Sequence, residues 1–308
     1  MRPMRRLLLS ALALFCLGVL VLGIILTEGH LQIRGISPAL PSEAALRTAV
    51  ASGEGPRHLY SINTASQAVT PSQSMTFPAF VLEWPGGRRF IIDAGMEPEA
   101  AVEFGKPIEW LTGADPVRPH GSVGEQMGAE SQTVAGAGFT HLHSDHTGGL
   151  RSLCPLRDGQ LAIFQVPLQA DEQNHTTDPG LTLLLDADCV RFERLAGGPI
   201  YPIPGFPGLV AVAAGGHTPG STVFVAQVGD RLWIFSGDIT NSRSELELDR
   251  AKSFFYSLLI VPEDPERLKI LRAWLRELDR APDATVVVSH DLEALNLQGE
   301  DPAIPGWR

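Results

Sequence analysis

The longest apolar run of the sequence lies at its N-terminus. No charged residue occurs between positions 7 and 26, and Arg2, Arg5 and Arg6 precede the run. Twenty helical residues span about 30 Å, the hydrocarbon thickness of a bilayer. The run does not end in the small-residue cleavage site that is typical of a secretory signal peptide. We therefore predict a transmembrane helix, a signal anchor over residues 1–27, with a cleaved signal and a secreted protein as the alternative.

The arginines before the apolar run predict the orientation of the chain. Positive charge stays on the cytoplasmic side of a membrane, so the rest of the chain is expected on the periplasmic or extracellular side. Disulfides persist in such compartments. Cys154 and Cys189 both lie beyond the run. Sequence gives no distance between them, so two separate buried thiols and a disulfide both stay open.

After the apolar run, the pattern changes to short β-prone segments between polar turns. Residues 28–56 are expected to form a linker and a short helix near residues 42–51. Two hairpins are predicted, one around Pro85-Gly86-Gly87 and one around Gly229-Asp230.

Helical spacing of leucines and a tryptophan predicts a surface helix over residues 265–280. Residues 96–130 are rich in glycine and proline and are expected to form loops and short helices that border a site. Strand-rich halves with helices between them indicate an α/β sandwich, which we assign to a catalytic domain over residues 57–308.

The charge balance limits the class of substrate. Three of the 24 basic residues and none of the 35 acidic residues precede position 28, so the remainder carries 21 basic and 35 acidic residues, a net charge of −14. Proteins that bind nucleic acids carry a basic surface instead. We therefore expect a small-molecule substrate and no nucleic-acid partner.

The chemistry is concentrated in a histidine cluster that follows a β-prone segment. Residues 140–149 read Thr-His-Leu-His-Ser-Asp-His-Thr-Gly-Gly. On a strand, His141 and His143 point to the same face, and a turn after the strand can bring Asp145 and His146 to a second position. Imidazole and carboxylate ligands suit zinc, so the cluster predicts a metal site.

Three further candidates, His217, Asp238 and His290, each follow another β-prone segment. Loops at one edge of a sheet are where a fold usually presents functional groups. A lone histidine is more often a surface or hydrogen-bonded residue. The four histidines outside these motifs are expected to be of that kind: His30, His58, His120 and His175. His120 and His175 are also candidates for flanking the pocket.

Together these segments, over about residues 77–291, resemble the metallo-β-lactamase superfamily of metallohydrolases. The resemblance implies an αββα sandwich with two zinc ions at one edge of its sheets. It puts His141, His143 and His217 on the first metal. It puts Asp145, His146 and His290 on the second, with Asp238 bridging both.

The resemblance also implies a reaction. A zinc-bridged hydroxide would attack a carbonyl group, and Asp145 would orient it or carry a proton to the leaving group. Asp93 and Asp291 are candidates for fixing the histidine tautomers. The pattern is most similar to the lactonase-like branch, which includes the acyl-homoserine-lactone hydrolases, and it implies cleavage of an ester-like or lactone-like bond. Such enzymes often have a tyrosine three residues after the bridging aspartate, where this chain has Asn241; Tyr256 is nearby in sequence.

Other classes on the same fold match less of the pattern. The β-lactam hydrolases do not usually have an aspartate at the position of Asp238. The thioester-cleaving glyoxalase II type adds a C-terminal helical domain, and 18 residues follow His290 here. Diiron members generally have glutamate in place of His143. Mononuclear iron sulfur dioxygenases keep most of these residues, so the motif does not separate zinc from iron or manganese. A non-catalytic binding module would not need the complete set of ligands.

Overall fold

Two β-sheets pack face to face in the computed structural model, which describes residues 2–70, 73–295 and 304–307. Among the described residues the first sheet has seven strands, in the order β4-β1-β2-β3-β5-β6-β7. Its strands are β1 His58–Thr70, β2 Gln73–Glu83, β3 Arg89–Ile92, β4 Arg118–Pro119, β5 Val134–Gly138, β6 Leu161–Gln165 and β7 Val190–Arg194. The second sheet, in the order β12-β11-β10-β9-β8, consists of β8 Ile200–Pro202, β9 Leu209–Ala213, β10 Thr222–Val228, β11 Arg231–Phe235 and β12 Ala284–Val287.

Helices lie before, between and after these strands. They are α1 Arg2–Ile33, α2 Glu43–Val50, α3 Pro98–Thr112, α4 Val123–Met127, α5 Ser144–Thr147, α6 Pro167–Asp171, α7 Asp178–Leu185, α8 Arg243–Leu248, α9 Phe254–Leu259, α10 Pro265–Leu278 and α11 Leu292–Leu295. Short 3-10 helices cover Gly128–Thr133, Leu150–Leu156 and Gly237–Ile239.

Aromatic side chains fill the space between the two sheets. Phe80 and Phe90 come from the first sheet, and Phe224 and Phe235 come from the second; all four are buried. The ring centroids of Phe80 and Phe235 are 5.0 Å apart. Burial of each such ring stabilises the fold by roughly 1.5–3 kcal/mol, so this layer holds the sheets together.

Helices cover the outer face of each sheet. Leu268 and Leu271 of α10 pack on the second sheet together with Leu46 of α2. Val123 and Met127 of α4 pack on the first sheet. The layers are therefore helix, sheet, sheet and helix, which confirms the predicted αββα sandwich.

The direction of the strands brings the candidate functional residues to one edge of the sandwich. β3 and β5 run parallel, and so do β11 and β12. The segments that follow their carboxyl ends carry the candidate residues, with Asp93 after β3, His141 after β5, Asp238 after β11 and His290 after β12. A hydrogen bond joins the two sheets at this edge: the backbone N–H of Thr222 donates to the carbonyl oxygen of Thr140 at 2.7 Å.

The N-terminal helix is longer than the predicted segment 1–27. α1 continues to Ile33, which is buried, and Gly35 with φ 80° follows the end of the helix. No proline interrupts residues 28–33, so nothing stops the helix earlier. Met4–Ile33 is long and apolar enough to cross a membrane, and an 18-residue window within it has a mean hydropathy of 2.8. A signal sequence can meet the same criteria.

The other predicted elements agree with the structure in part. Both hairpins form, as β2–β3 and β10–β11, and α10 begins at the expected proline. The expectation of loops and short helices over residues 96–130 holds for α4 but not for α3, which has 15 residues. Pro98 stands in its first turn, where proline is compatible with a helix, and Gly113 ends it with φ 74°. The division into residues 1–27, 28–56 and 57–308 stays a prediction.

A disulfide joins Cys154 to Cys189, which resolves the two alternatives that the sequence left open. Their Cα atoms are 5.3 Å apart, and 35 positions separate them in the chain. The bond ties the Leu150–Leu156 helix to the segment before β7, on the outer side of the first sheet. The remaining cysteine, Cys16, is exposed on α1.

Candidate metal centre

The seven residues that the sequence singled out lie together at the sandwich edge. Their ligand atoms form three groups, and within each group all atoms lie within 4.8 Å of one another. The groups are His141, His143 and His217; His141, His146 and Asp238; and Asp145, His146 and His290. The first and third groups are the two ligand sets that the resemblance implies, and Asp238 adjoins both.

Asp238 occupies the middle of the cluster. Its Oδ1 lies 3.4 Å from Nε2 of His146. Its Oδ2 lies 3.1 Å from Nε2 of His290 and 3.7 Å from Nε2 of His217. The preceding residue makes this approach possible: Gly237 has φ 55°, and Cβ of Thr140 lies 2.7 Å from the point where a side chain on Gly237 would begin. A larger residue at position 237 would push Asp238 away from the cluster.

Asp145 and His146 reach the cluster from α5, the single turn after β5. Oδ2 of Asp145 lies 3.4 Å from Nε2 of His290 and 3.7 Å from Nε2 of His146. The two histidine nitrogens are themselves 3.2 Å apart. This half of the site therefore combines one carboxylate oxygen with two imidazole nitrogens from distant parts of the chain.

A buried carboxylate, Asp93, fixes the outward side of His146. Nδ1 of His146 lies 2.9 Å from Oδ2 of Asp93. Asp93 also accepts hydrogen bonds from the backbone N–H and the hydroxyl of Thr140, at 2.7 and 2.8 Å. Its φ of 56° is in the left-handed region, which aspartate tolerates better than most residues. Asp93 thus contacts a candidate ligand as predicted.

The second predicted carboxylate, Asp291, does something else. Its Oδ2 accepts a hydrogen bond from the backbone N–H of Arg243, and its Oδ1 accepts one from that of Ala294. These contacts connect the start of α8 to the start of α11. The expectation that Asp291 fixes a histidine tautomer is therefore wrong, because its side chain points along the loop and not towards the cluster.

Glu263 plays the corresponding part for His217, and no local sequence pattern points to it. Nδ1 of His217 lies 2.6 Å from Oε1 of Glu263, and Nζ of Lys252 lies 2.9 Å from the same oxygen. The hydroxyl of Ser257 donates to Oε2 at 2.5 Å. Burial alone would raise the pKa of Glu263, but the charge of Lys252 and the hydrogen bond from His217 lower it to about 2. The side chain is therefore a carboxylate at neutral pH.

Oxygen atoms hold two more of the histidines from outside. Nδ1 of His290 lies 2.8 Å from the carbonyl oxygen of Thr76. Nε2 of His143 lies 2.9 Å from Oγ1 of Thr176. Such outer contacts fix which ring nitrogen carries the proton and leave the other nitrogen free to bind a metal.

The inward-facing atoms fit a bound cation. Nε2 of His217 and Oδ1 of Asp238 are buried, and neither has a hydrogen-bond partner within the described ranges. Nε2 of His141 lies only 2.9 Å from Nδ1 of His143. Burial, followed by the neighbouring histidines, lowers the pKa of His141 well below its usual range, so the ring is neutral, as metal binding requires. Nitrogen and carboxylate donors in this arrangement suit zinc and similar divalent ions.

The four histidines outside the motifs belong to none of the three ligand groups. His120 is exposed, and its Nε2 is 2.8 Å from Oγ of Ser66. The ring of His58 is 5.9 Å from that of Tyr60. His30 and His175 both lie where α1 meets the domain. They are surface or hydrogen-bonded residues, as expected.

Asn241 and Tyr256 are the two positions that the sequence comparison linked to the substrate. Asn241 donates its backbone N–H to Glu245 at 3.0 Å and is half-buried. Tyr256, on α9, is also half-buried. Burial, followed by the negative charge of Asp238, raises the pKa of Tyr256 well above its usual value. Its hydroxyl is therefore protonated at neutral pH, and its ring centroid lies 5.4 Å from Nζ of Lys252, which contacts Glu263.

Comparison with protein families gives a match that covers most of the chain. The profile of the metallo-beta-lactamase superfamily matches residues 78–290. The chain belongs to the metallo-beta-lactamase superfamily. The matched range begins in β2, ends at His290 and contains all seven candidate ligands.

Solved structures with a similar fold include lactone hydrolases. One is an N-acyl homoserine lactone hydrolase with the product N-hexanoyl-L-homoserine at its catalytic metal centre; it is 17% identical, the match covers 78% of this chain and 95% of that chain, and the TM-score is 0.55. Another is a quorum-quenching N-acyl homoserine lactone hydrolase, 16% identical over 81% of this chain and 97% of that chain, with a TM-score of 0.56. At these identities the likeness shows the fold alone.

A comparison with curated protein sequences found no match. The family match and the clustered ligands together identify a metallo-beta-lactamase-fold hydrolase with histidine and aspartate groups that can hold metal ions.

Proposed function

We propose that this protein is a zinc-dependent hydrolase that binds two zinc ions and cleaves an ester-like or lactone-like bond of a small molecule. The observation that carries the proposal is the division of the ligand atoms into two triads that share contact with Asp238. One triad contains three histidines, and the other contains two histidines and a carboxylate. A single structural ion would need only one of them.

In this proposal each ligand has a defined position. His141, His143 and His217 would hold the first ion, Asp145, His146 and His290 would hold the second, and Asp238 would be the ligand shared between them. Asp93 and Glu263 hold His146 and His217 in the tautomer that presents Nε2 inwards.

When bound, such a pair of ions supplies a nucleophile from water at neutral pH and polarises the substrate carbonyl. The residues of the chain then position the reaction. Asp145 is the proposed catalytic residue, which orients the attacking group or transfers a proton to the leaving group. Tyr256 provides the hydroxyl that Asn241 cannot, and its protonated state lets it donate a hydrogen bond to the carbonyl oxygen.

We further propose that α1 remains attached as a single-pass anchor and that the domain lies on the extracytoplasmic side. Two observations support this. Ile33 and Gly29, near the end of α1, are buried against the domain, so the helix is part of the fold. The Cys154–Cys189 disulfide is of a kind that persists in oxidising compartments.

Metal content and a substrate panel test this function together. The full chain is purified in detergent, its metals are quantified, and lactones, thioesters, β-lactams and phosphodiesters are offered. We expect two zinc ions per chain and turnover of lactones or simple esters. Asp145→Asn should lower turnover by orders of magnitude while the circular dichroism spectrum is unchanged. Two zinc ions with no turnover of any of these substrates would reject the proposal, and iron with oxidation of a persulfide would favour the sulfur dioxygenase alternative.

A further inference from the structure

α9 has two faces of opposite character. Phe254 and Leu258 lie one turn apart on one side, next to Phe255 and Leu259. These four apolar side chains, called here the α9 face, are 71%, 37%, 69% and 52% exposed in that order. Four adjacent large apolar side chains on a short helix form an exposed patch of the kind that marks an interaction site.

The opposite side of α9 faces the metal centre. Ser257 donates to the carboxylate of Glu263, which holds His217. Lys252, two residues before α9, places its Nζ 3.2 Å from Nδ1 of His217. α9 is therefore a wall of the site, with its apolar face turned outwards.

The last turns of α1 pack directly beside α9. Nε2 of His30 lies 3.4 Å from the carbonyl oxygen of Leu258. Gly29 is buried, and Cγ of Pro262 lies 2.8 Å from the point where a side chain on Gly29 would begin. The end of the candidate membrane span is thus fixed against the segment that contains α9.

A second contact connects α1 to the other flank of the site. Cε1 of His175 also lies 2.8 Å from the side-chain position of Gly29. The next residue, Thr176, contacts the candidate ligand His143. Both segments that touch Gly29 therefore also touch residues of the metal centre or their supports.

The distance along α1 sets the depth of α9. The uncharged run ends at Leu26, and His30 lies four residues further along the same helix, about 6 Å at 1.5 Å per residue. Membrane-surface helices bury their apolar faces about 5–10 Å into the boundary between headgroups and acyl chains. α9, in contact with His30, therefore lies in the headgroup layer, about 6 Å outside the hydrocarbon, from which large apolar side chains can reach the acyl chains.

We propose that the α9 face lies in the interface of the bilayer that α1 spans, and that the metal centre takes its substrate from this bilayer. The substrate is then an ester or lactone with a long acyl chain; this part rests on the proposed function. The part of the chain after residue 27 has a net charge of −14, which does not favour attraction to anionic lipids. Apolar insertion has to drive it, and phosphatidylcholine is sufficient as the lipid.

Fluorescent labels test the docking independently of activity. The full chain with Cys16→Ser carries one new cysteine, Phe255→Cys or Leu259→Cys, which is labelled with an environment-sensitive dye after reconstitution into phosphatidylcholine vesicles. The matched control is Asp230→Cys, an exposed position in the β10–β11 turn at the opposite end of the sandwich. We expect blue-shifted emission and quenching by spin-labelled lipids at positions 255 and 259 and neither at position 230. Emission at 255 and 259 equal to that at 230, without quenching, would overturn the docking.

A second variant tests the route of the substrate. Phe254→Asp combined with Phe255→Asp removes the apolar contact, because both side chains are exposed in the domain and the fold does not need them. We expect unchanged turnover of a short, water-soluble lactone and at least about tenfold lower turnover of a long-chain lactone in vesicles, since a single lost aromatic contact is worth about that factor in partitioning and this variant loses two.

The two measurements separate the possible failures. Equal turnover of the long-chain lactone by the variant and the wild type would overturn the membrane route. If the wild-type protein cleaves neither lactone, the proposed function and the substrate part fall, while the labels still decide whether α9 docks.

Discussion

Nδ1 of His217 lies 2.6 Å from Oε1 of Glu263, and both side chains are buried. Lys252 contacts the same carboxylate oxygen, so a candidate metal ligand is held by an ion pair that water does not reach. The relationship spans 46 positions of sequence. Two residues outside the ligand motifs, Glu263 and Lys252, therefore hold His217 in its orientation.

Glu263→Gln should weaken metal binding at the site of His217. Glutamine is a weaker acceptor for the imidazole N–H, and loss of such an outer partner typically lowers metal affinity about 10–100-fold. Chelator competition with the full chain measures the zinc affinity directly. Glu266→Gln, at an exposed position on α10, is the matched control and should have no effect.

Glu263→Gln also leaves the charge of Lys252 buried without its partner, which could lower stability by itself. Lys252→Met combined with Glu263→Gln removes both charges and separates the two effects. If metal affinity in the double variant returned to the wild-type value, the carboxylate would not be what orients His217.

Asp93→Asn tests the corresponding contact of His146. Asparagine keeps an oxygen for the backbone N–H of Thr140 and tolerates the φ of 56°, so the fold should survive. Its amide group can no longer accept from Nδ1 of His146 as a carboxylate does. We expect the absorption spectrum of the cobalt-substituted protein to change and zinc affinity to fall about 10–100-fold. An unchanged spectrum together with wild-type affinity would show that Asp93 serves only the fold.

The ligand cluster was predictable because its signal is local. Three histidines and an aspartate fall within six positions, and the other candidates each follow a β-prone run, so a sheet edge gathers them. Glu263 was not predictable, since no local pattern marks it and its partner is far away in sequence. The contact of His290 was hidden for a different reason: it is made to the backbone oxygen of Thr76, which any residue could supply.

The sequence also does not predict several other contacts and elements of the fold. Asp93 and Asp291 both follow strands near the site. The direction of the backbone after each strand decides the contact of the side chain: Asp93 contacts His146, whereas Asp291 contacts the backbone N–H of Arg243. The sequence pattern does not predict β1, because the buried positions of this strand are polar as often as apolar; Thr64 and Gln67 are both buried. α3 formed in a stretch whose glycine and proline content predicted loops.

Tyr256→Phe should reduce catalysis and leave the metals in place. If the hydroxyl donates to the substrate carbonyl oxygen, its loss should lower kcat/KM by about 100-fold, in the range measured for single donors of this kind. Metal content and thermal unfolding should match the wild type. Tyr201→Phe, on β8 in the other part of the second sheet, is the control. Wild-type kcat/KM in Tyr256→Phe would exclude the hydroxyl from the reaction.

Removal of the disulfide should destabilise the domain. Cys154→Ser combined with Cys189→Ser opens a loop of 35 positions, for which chain entropy predicts a loss of about 2–4 kcal/mol. Chemical denaturation of the full chain in detergent measures the free energy of unfolding, with Cys16→Ser as the control. A loss below the error of the measurement would mean that the bond does not stabilise the domain.

The number of zinc ions per chain tests the central claim most directly. Elemental analysis of the full chain, loaded with zinc and freed of excess metal, is compared between the wild type and His290→Ala. We expect two ions in the wild type and about one in the variant, with the circular dichroism spectrum unchanged. One ion in both proteins, or two in both, would contradict a second site built on Asp145, His146 and His290.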